Sequence, residues 1–470
     1  MLVLAPVHPA APVAAQERDN PLPTCSAIRY GDKVIPSPGY TVDRTLFWIT
    51  EWYRYPYNHA VVLRSTDDGA TWLQVFDYPY RFSVGITAFE IASVQETDIH
   101  ALGSTTVDEN SGLGRRPARA AIFKSAGLTV FVGVSLHSGY YGDSLFFRSN
   151  DSGDTWQEMT APCSDLDCLP FSLRATNRPG ALFQPRRWFF DPGLPQGVAR
   201  SQDGGATWQQ IWSETPANAV AVSPDFDSDQ TVFVALAGRS STLDADFIIS
   251  HDGGDTWSAG GQGLCFLYIS QIIASPGFAR DRTLLTSADD SSLYMSQDGS
   301  LTWQAIFPPG GPFCYNAGFG FVKPQFSPDY PDDPTIYAAT SVGLYASYDA
   351  GQSWVLLVGD HHASDLVVRG TPGARGIPAS HARSVVGWQQ SSPRSGQDDP
   401  ALHHTYLPIA AVQGAGPAYR SHTLFMQAWP STPGSASFLY KSNDGGRTWQ
   451  CMERPTVRPQ AFLPLVGIRQ

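Results

Sequence analysis

One eight-residue pattern runs through this chain seven times: Ser, any residue, Asp, any residue, Gly, two further residues, then Trp. The copies read STDDGATW (65–72), SNDSGDTW (149–156), SQDGGATW (201–208), SHDGGDTW (250–257), SQDGSLTW (296–303), SYDAGQSW (347–354) and SNDGGRTW (442–449). Only the fifth departs, with Ser300 where Gly is expected. A short unit repeated in register cannot bury its apolar side alone, so the chain must stack copies against one another.

Each copy follows an apolar run such as AVVLR (60–64), SLFFR (144–148), DFIIS (246–250) or SFLYK (437–441), and a second run such as LQVF (73–76) or QQIW (209–212) follows it. Two β-rich runs joined by an Asp/Gly turn read as a hairpin. The carboxylates of Asp67, Asp151, Asp203, Asp252, Asp298, Asp349 and Asp444 are expected to accept backbone N–H groups just ahead of them. The Gly supplies a positive φ at low cost. The closing Trp72, Trp156, Trp208, Trp257, Trp303, Trp354 and Trp449 are large, rigid and apolar, suited to plugging the gap between one hairpin and its neighbour.

A second repeat accompanies the first. SPGYTVDRTLF (37–47), SPDFDSDQTVF (223–233), SPGFARDRTLL (275–285) and SPDYPDDPTIY (327–337) share Ser-Pro, an aromatic, an Asp and a Thr ahead of a β run. The last three begin 52 residues apart, the length of one four-stranded unit. Asp43, Asp229, Asp281 and Asp333 are expected to cap the turn between the first and second strands. The alternation Asp225, Asp227, Asp229 also suits a calcium loop, but the parallel copies lack the extra acids.

The eight-residue pattern resembles the Asp-box, or bacterial neuraminidase repeat, of sialidases, xyloglucan hydrolases, the sortilin family, the photosystem II assembly factor family and many secreted bacterial proteins. The resemblance covers nearly the whole chain. It implies an all-β fold, a seven-bladed β-propeller of four-stranded antiparallel blades, with the box in the turn between the third and fourth strands. That turn lies on the face opposite the usual ligand site. Eight blades is the alternative, because the intervals Trp72 to Trp156 and Trp354 to Trp449 are long. The expected organisation is a non-globular stretch over 1–20 and a single propeller over 25–470, with insertions near 82–128 and 359–405. The distance from the Thr opening the second strand to the box Trp implies longer loops between strands two and three in blades 1, 2, 3, 4 and 7, and short ones in blades 5 and 6. The C-terminal AFLPLVGIRQ (461–470) is expected to be a strand that helps close the ring.

Composition places limits on function. The net charge is −12 and only four lysines occur, Lys33, Lys124, Lys323 and Lys441, so no basic face for nucleic acid is present. No apolar run is long enough to span a membrane. The start, MLVLAPVHPAAPVAA, reads as the tail of a secretory signal, so an extracellular or cell-surface location is expected. Six cysteines in an exported chain suggest disulfides, with free buried thiols as the alternative. Fifteen pairings are possible for six cysteines. Cys163 with Cys168 and Cys265 with Cys314 are candidates. Cys25 with Cys451 would lock a ring by joining its first and last blades.

The face formed by the loops between strands two and three is where a propeller would meet a ligand. Blade 1 offers Glu51, Trp52, Tyr53, Arg54, Tyr55 and Tyr57 there. Blade 2 offers His137, Tyr140 and Tyr141, blade 3 offers Arg186, Arg187 and Trp188, and blade 7 offers Trp429. Aromatics interleaved with Arg and acids suit stacking on sugar rings or a protein hot spot; the alternative is that they pack down over the blades. The expected function is a monomeric, non-catalytic module binding glycan or protein, without cofactor or metal. His361-His362, His381 and His403-His404 do not suggest otherwise, since adjacent residues of a strand point to opposite faces. The alternative is a glycoside hydrolase of sialidase-like fold. Its carboxylates would come from Glu51, Asp143, Asp191 and Asp246, and no Arg-Ile-Pro motif precedes the first box.

Overall fold

The computed structural model describes residues 22–28, 32–92, 128–138, 141–159, 173–186, 196–243, 245–264, 268–288, 292–307, 321–371, 422–431 and 436–455. Their strands form seven four-stranded antiparallel sheets, each built from four consecutive strands. Blade 1 holds β1 (Lys33–Pro36), β2 (Leu46–Arg54), β3 (Tyr57–Ser65) and β4 (Leu73–Tyr80). Blade 2 holds β5 (Ser83–Ile91), β6 (Val130–Ser138), β7 (Tyr141–Ser149) and β8 (Gln157–Met159). Blade 3 holds β9 (Arg174–Ala175), β10 (Leu182–Arg186), β11 (Gly197–Ser201) and β12 (Gln209–Trp212). Blade 4 holds β13 (Ala217–Val222), β14 (Val232–Ser240), β15 (Ala245–Ser250) and β16 (Ser258–Gly260). Blade 5 holds β17 (Ile269–Ala274), β18 (Leu284–Ala288), β19 (Leu293–Ser296) and β20 (Gln304–Phe307). Blade 6 holds β21 (Val322–Phe326), β22 (Ile336–Thr340), β23 (Gly343–Ser347) and β24 (Val355–Gly359). Blade 7 holds β25 (His361–Gly370), β26 (His422–Pro430), β27 (Phe438–Ser442) and β28 (Gln450–Cys451).

The first strands of neighbouring blades pack around a centre, and β25 returns to pack on β1, so the ring closes at seven. The ranges 82–128 and 359–405, read from sequence as insertions, therefore begin with the first strands of blades 2 and 7, β5 and β25. The remainder of both ranges, residues 1–20 and residues 461–470 lie outside the described residues. Ring closure among the described residues is made by the opposite terminus: Ile28 donates its N–H to Ser437 O at 2.9 Å, beside β27, and so takes up the ladder where β28 ends. Cys25 is disulfide-bonded to Cys451, as the ring argument anticipates. Cys163, Cys168, Cys265 and Cys314 lie outside the described residues.

The box turns use their residues much as the sequence implies. In the first, Thr71 N donates to Asp67 Oδ1 at 2.8 Å and the Thr71 hydroxyl to Asp67 Oδ2 at 2.6 Å. A role that the sequence reading misses belongs to the Ser. Ser65 Oγ donates to Asp67 Oδ1 at 2.7 Å and accepts from Gly69 N at 2.8 Å. The same bonds recur in the other boxes, as at Ser347, Asp349 and Gly351. The tryptophans do bridge blades: Trp156 donates to Val75 O of blade 1, Trp257 to Ile211 O of blade 3 and Trp354 to Ile306 O of blade 5. The second repeat caps as expected, with Ser37 Oγ and Thr45 N both donating to Asp43 Oδ1 at 2.7 Å.

The residue just before the box Ser adds a further link. Arg64 reaches Ser152 O and Asp154 of the next box, Arg148 reaches Gly204 O, Arg200 reaches Gly253 O and Asp255, and Lys441 reaches Asp68 across the closing seam. Ile249, Met295 and Ala346 hold that position in blades 4, 5 and 6. Cationic staples from this position thus tie blades 7-1-2-3-4, while the remaining seams are linked by other groups, such as Trp303 N to Gln262 O, Arg280 to Asp332 and Tyr337 to His422.

Two expected results follow from the boxes. Ser300 occupies the Gly position at φ +77°, is wholly buried, and its hydroxyl has no hydrogen-bond partner. An L residue in that region and an unsatisfied buried hydroxyl both cost free energy. Ser300→Gly should therefore stabilise the protein by about 1–2 kcal/mol, read as a raised denaturation midpoint; an unchanged or lower midpoint would refute this reading. The second concerns acid. Hydrogen bonds from Thr71 hold the Asp67 carboxyl at about 2, and bonds from Thr207 hold Asp203 at about 2. A carboxyl depressed in the folded state stabilises it above the unfolded value, and that contribution is lost as pH falls through the folded value. Stability should hold above pH ~4 and drop between pH ~4 and ~2, which tryptophan fluorescence across that window will show.

Candidate ligand-binding seam

The blade 1 residues singled out as a loop are strand. β2 and β3 pair without interruption up to Arg54 opposite Tyr57, leaving only Tyr55 and Pro56 as the turn. Extra residues lengthened the hairpin because alternating aromatic and polar side chains favour continued pairing over an open loop. Blade 2 behaves likewise, with β6 and β7 paired up to Ser138 opposite Tyr141. The hairpin of blade 1 stands clear of its blade: Tyr53, Tyr55 and Tyr57 are 63%, 85% and 45% exposed.

Side chains alternate along a strand, so each face of the hairpin has its own audience. Leu46, Trp48, Val61 and Leu63 share a core with Phe425 and Leu439 of blade 7, whereas Phe47, Ala60 and Val62 share one with blade 2. Trp52 continues the first series and packs on the core that blades 1 and 7 share. Its register partner is His59, and Arg54 is opposite Tyr57, so these four residues face blade 7. The alternation in β26 answers them. Leu424, Met426 and Ala428 belong to the core with blade 6, while Phe425 belongs to the core with blade 1. Gln427 and Trp429 follow Phe425 and so face blade 1. His362, the register partner of Trp429, stacks on it with ring centroids 5.4 Å apart.

The seam between blades 1 and 7 thus brings Trp52, Arg54 and Tyr57 to one side and Trp429 to the other, from opposite ends of the sequence. His59 and His362 are additions that sequence reasoning missed. A stacked His-Trp pair across two strands would have been visible only with the register. His59 Nδ1 lies 2.6 Å from Asp77 Oδ1, which fixes the imidazole on this wall. Arg454 floors the outer end, donating to Thr50 Oγ1 at 2.8 Å and standing 3.5 Å from Asp32.

Other candidates fall elsewhere. Glu51 and Tyr53 lie on the face of the hairpin toward blade 2; a Cβ on Gly85 would stand 2.8 Å from Glu51 Oε1. Burial, with the Asp32 carboxylate nearby, raises the Glu51 carboxyl above its usual range. Arg186 is 6% exposed and donates to Gln210, so it is turned into blade 3 rather than offered to a ligand. His137 and Tyr141 lie on β6 and β7 with side chains outside the described set, and Tyr140, Arg187 and Trp188 lie outside the described residues. His361 donates from Nδ1 to Gly359 O at 2.9 Å, while His381, His403 and His404 lie outside the described residues. No group of three His, Cys, Asp or Glu able to hold a metal occurs among the described residues.

The geometry gives no support for hydrolytic machinery among the described residues. Asp246 lies on β15 of blade 4, away from Glu51 on blade 1; the side chain of Asp143 is not described, and Asp191 lies outside the described residues. Ser327, His422 and Asp333 meet at the other face of the ring, yet they do not form a relay. Ser327 Oγ and Asp333 Oδ2 both approach the same His422 nitrogen, Nε2, at 3.2 and 3.0 Å. A relay needs the acid and the hydroxyl on opposite nitrogens. His422 is also buried, so no substrate reaches it.

The profile of the family described as BNR/Asp-box repeat matches residues 248–259. A xyloglucanase of Paenibacillus sp. is 23% identical over 330 residues, covering 68% of this chain and 24% of its own length. The chain therefore spans about a quarter of that curated relative. Among solved structures, YCF48 bound to D1 peptide is similar at 13% identity and a TM-score of 0.40, over 73% of this chain and 93% of that one. The GH74 xyloglucanase from Xanthomonas campestris is similar at 13% identity and a TM-score of 0.34, over 90% of this chain and 62% of that one.

Proposed function

Since this chain is an Asp-box (BNR) repeat β-propeller, we propose that it is a binding module that holds a carbohydrate in the seam between blades 1 and 7 and performs no chemistry on it. The observation that carries this reading is the convergence of Trp52, Arg54 and Tyr57 with the stacked Trp429–His362 pair on one seam. Aromatic rings held rigid on strands present apolar faces at low entropic cost, and sugar rings offer matching C–H faces. The xyloglucanase relative acts on a carbohydrate by its name, which favours a glycan over a protein ligand. The Cys25–Cys451 bond supports export, since disulfides persist in oxidising compartments.

The second reading is glycoside hydrolysis, favoured by one observation, the raised carboxyl of Glu51. A hydrolase needs two carboxyl groups flanking the bond. The neighbouring Asp32 is buried and stands against Arg454, so it does not supply the second.

A glycan array tests both. Wild type should bind and leave the sugars intact, and Trp52→Ala and Trp429→Ala should each weaken binding about ten-fold or more. Retained binding in both variants, with unfolding midpoints showing that they fold, removes the seam as the site. Loss of terminal sugars from the array, abolished by Glu51→Gln, replaces the module with the hydrolase. Silence on the array with capture of a protein ligand dependent on the same tryptophans moves the seam to protein recognition.

A further inference from the structure

We infer that His59 orients the glycan in the seam, its Nε2 accepting a hydrogen bond from one sugar hydroxyl. The inference rests on the seam being the carbohydrate site. His59 Nδ1 stands 2.6 Å from Asp77 Oδ1. A carboxylate only accepts, so the proton of the neutral ring sits on Nδ1 and the lone pair on Nε2. Asp77 is held in turn: Gln74, buried beneath it, donates from its amide nitrogen to Asp77 Oδ2 at 3.1 Å. Amide, acid and imidazole form a chain that fixes both the direction of the ring and its tautomer.

Nε2 is the open end of that chain. Among the described residues no group bonds to it, and it is not sealed from water. The two nitrogens of an imidazole point to roughly opposite sides, so Nε2 is turned away from Asp77 and β4. Its neighbours on this face are Trp52, the register partner on β2, and Tyr57, two residues back on β3. The pair is not needed to join the strands, because β3 and β4 are in register from Asn58 opposite Tyr80 to Arg64 opposite Leu73. An aromatic face decides where a sugar ring lies but not how it is turned in its own plane. A fixed acceptor beside that face decides the turn. A pyranose with an apolar C–H face and a free hydroxyl at its edge meets both demands. A ring with etherified hydroxyls keeps the first part and loses the second.

Two measurements test this. The first needs no ligand: long-range proton–nitrogen NMR of the His59 ring, assigned by its loss in His59→Phe, should show Nδ1 protonated and Nε2 bare. A proton on Nε2 in the wild type overturns the inference. The second is titration calorimetry with cellohexaose, mannohexaose and galactohexaose, and with the per-O-methyl form of each. At least one free hexaose should bind, about ten-fold or more tighter than its methylated form. His59→Phe keeps a flat ring without the acceptor and should narrow that gap about ten-fold, through lost affinity for the free sugar. Asp77→Asn should narrow it by another route. Gln74 still donates to the far oxygen, so the new amide nitrogen faces Nδ1 and the ring proton moves to Nε2, which then donates to hydroxyl and ether alike. Unfolding midpoints show that both variants fold. An unchanged gap in both variants, with Trp52→Ala still weakening binding, makes the pair a structural link and leaves the seam as the carbohydrate site. Failure of all three hexaoses overturns the inference, and a silent glycan array takes the carbohydrate reading with it.

Discussion

Trp354→Ala should destabilise the protein by about 3–5 kcal/mol, the range for emptying a buried aromatic site. The seven box tryptophans share one place in the pattern but not one environment. Trp354 is 2% exposed, inserted between blades 5 and 6 with its ring 5.0 Å from Phe307 and its indole N–H donated to Ile306 O at 2.9 Å. Removing it leaves a cavity at the seam and an unsatisfied carbonyl. Trp72 is half-buried and returns its N–H to Gly69 O of its own turn, 3.0 Å away. Trp72→Ala should cost roughly half as much, since less area leaves water and its indole N–H bond lies within its own turn. Chemical denaturation of the two variants side by side is the measurement. Equal losses would mean that the tryptophans act within their own turns and not between blades. Trp354 also lies in a seam without a staple from the position before the box, because Met295 of blade 5 stands where Arg64 or Lys441 stands elsewhere.

Opening the clasp should be the next largest effect. Cys25→Ser is expected to cost about 2–4 kcal/mol. The bond joins residues 426 apart, so it constrains almost the whole chain in the unfolded state. In the folded state it holds the segment carrying Ile28 against blade 7, where that residue extends the ladder on β27. Cys451→Ser should cost the same, and the double variant no more than either single one, because one bond is lost in every case. Additive losses would show that the two sulfurs contribute through separate contacts. No loss would mean that Ile28, Arg454 and Lys441 close the ring without covalent help. The wild-type seam should also be the part most sensitive to the bond, so the affinity of any seam ligand should fall in Cys25→Ser even where the blades stay folded.

Much of the fold was legible because the repeat is local. Within eight residues, Ser, Asp, Gly and Thr satisfy one another's hydrogen bonds, and this needs no distant partner. The Ser-Pro repeat is local in the same way, with Asp43 serving both Ser37 and Thr45. The staple residue before each box Ser was also present in four copies, Arg64, Arg148, Arg200 and Lys441. It went unread because its acceptor lies in the next blade, which only the ring identifies.

The candidate site was legible in its parts and not in its assembly. Trp52, Arg54, Tyr57 and Trp429 were singled out for their chemistry, along with Glu51, Tyr53 and Arg186. What separates the first group from the second is strand parity and register. Parity sends Trp52 toward blade 7 and Glu51 toward blade 2, and pairing turns Arg186 to Gln210. Length alone suggested a loop at 51–57, since spacing counts residues without saying whether they continue to pair.

The sequence by itself determined the blade unit, the box turns, the caps and the pairing of Cys25 with Cys451 as one possibility among fifteen. Each of these follows from contacts within a few dozen residues or from the closure that a ring demands. Only the tertiary structure decided that the blades number seven, that β5 and β25 are first strands, and that blade 1 meets blade 7 over a seam walled by Trp52 and Trp429. Those facts depend on which faces meet when the ring closes. Hydrogen bonding along a strand sets its alternation, but the neighbour that each face meets is chosen by packing between blades hundreds of residues apart.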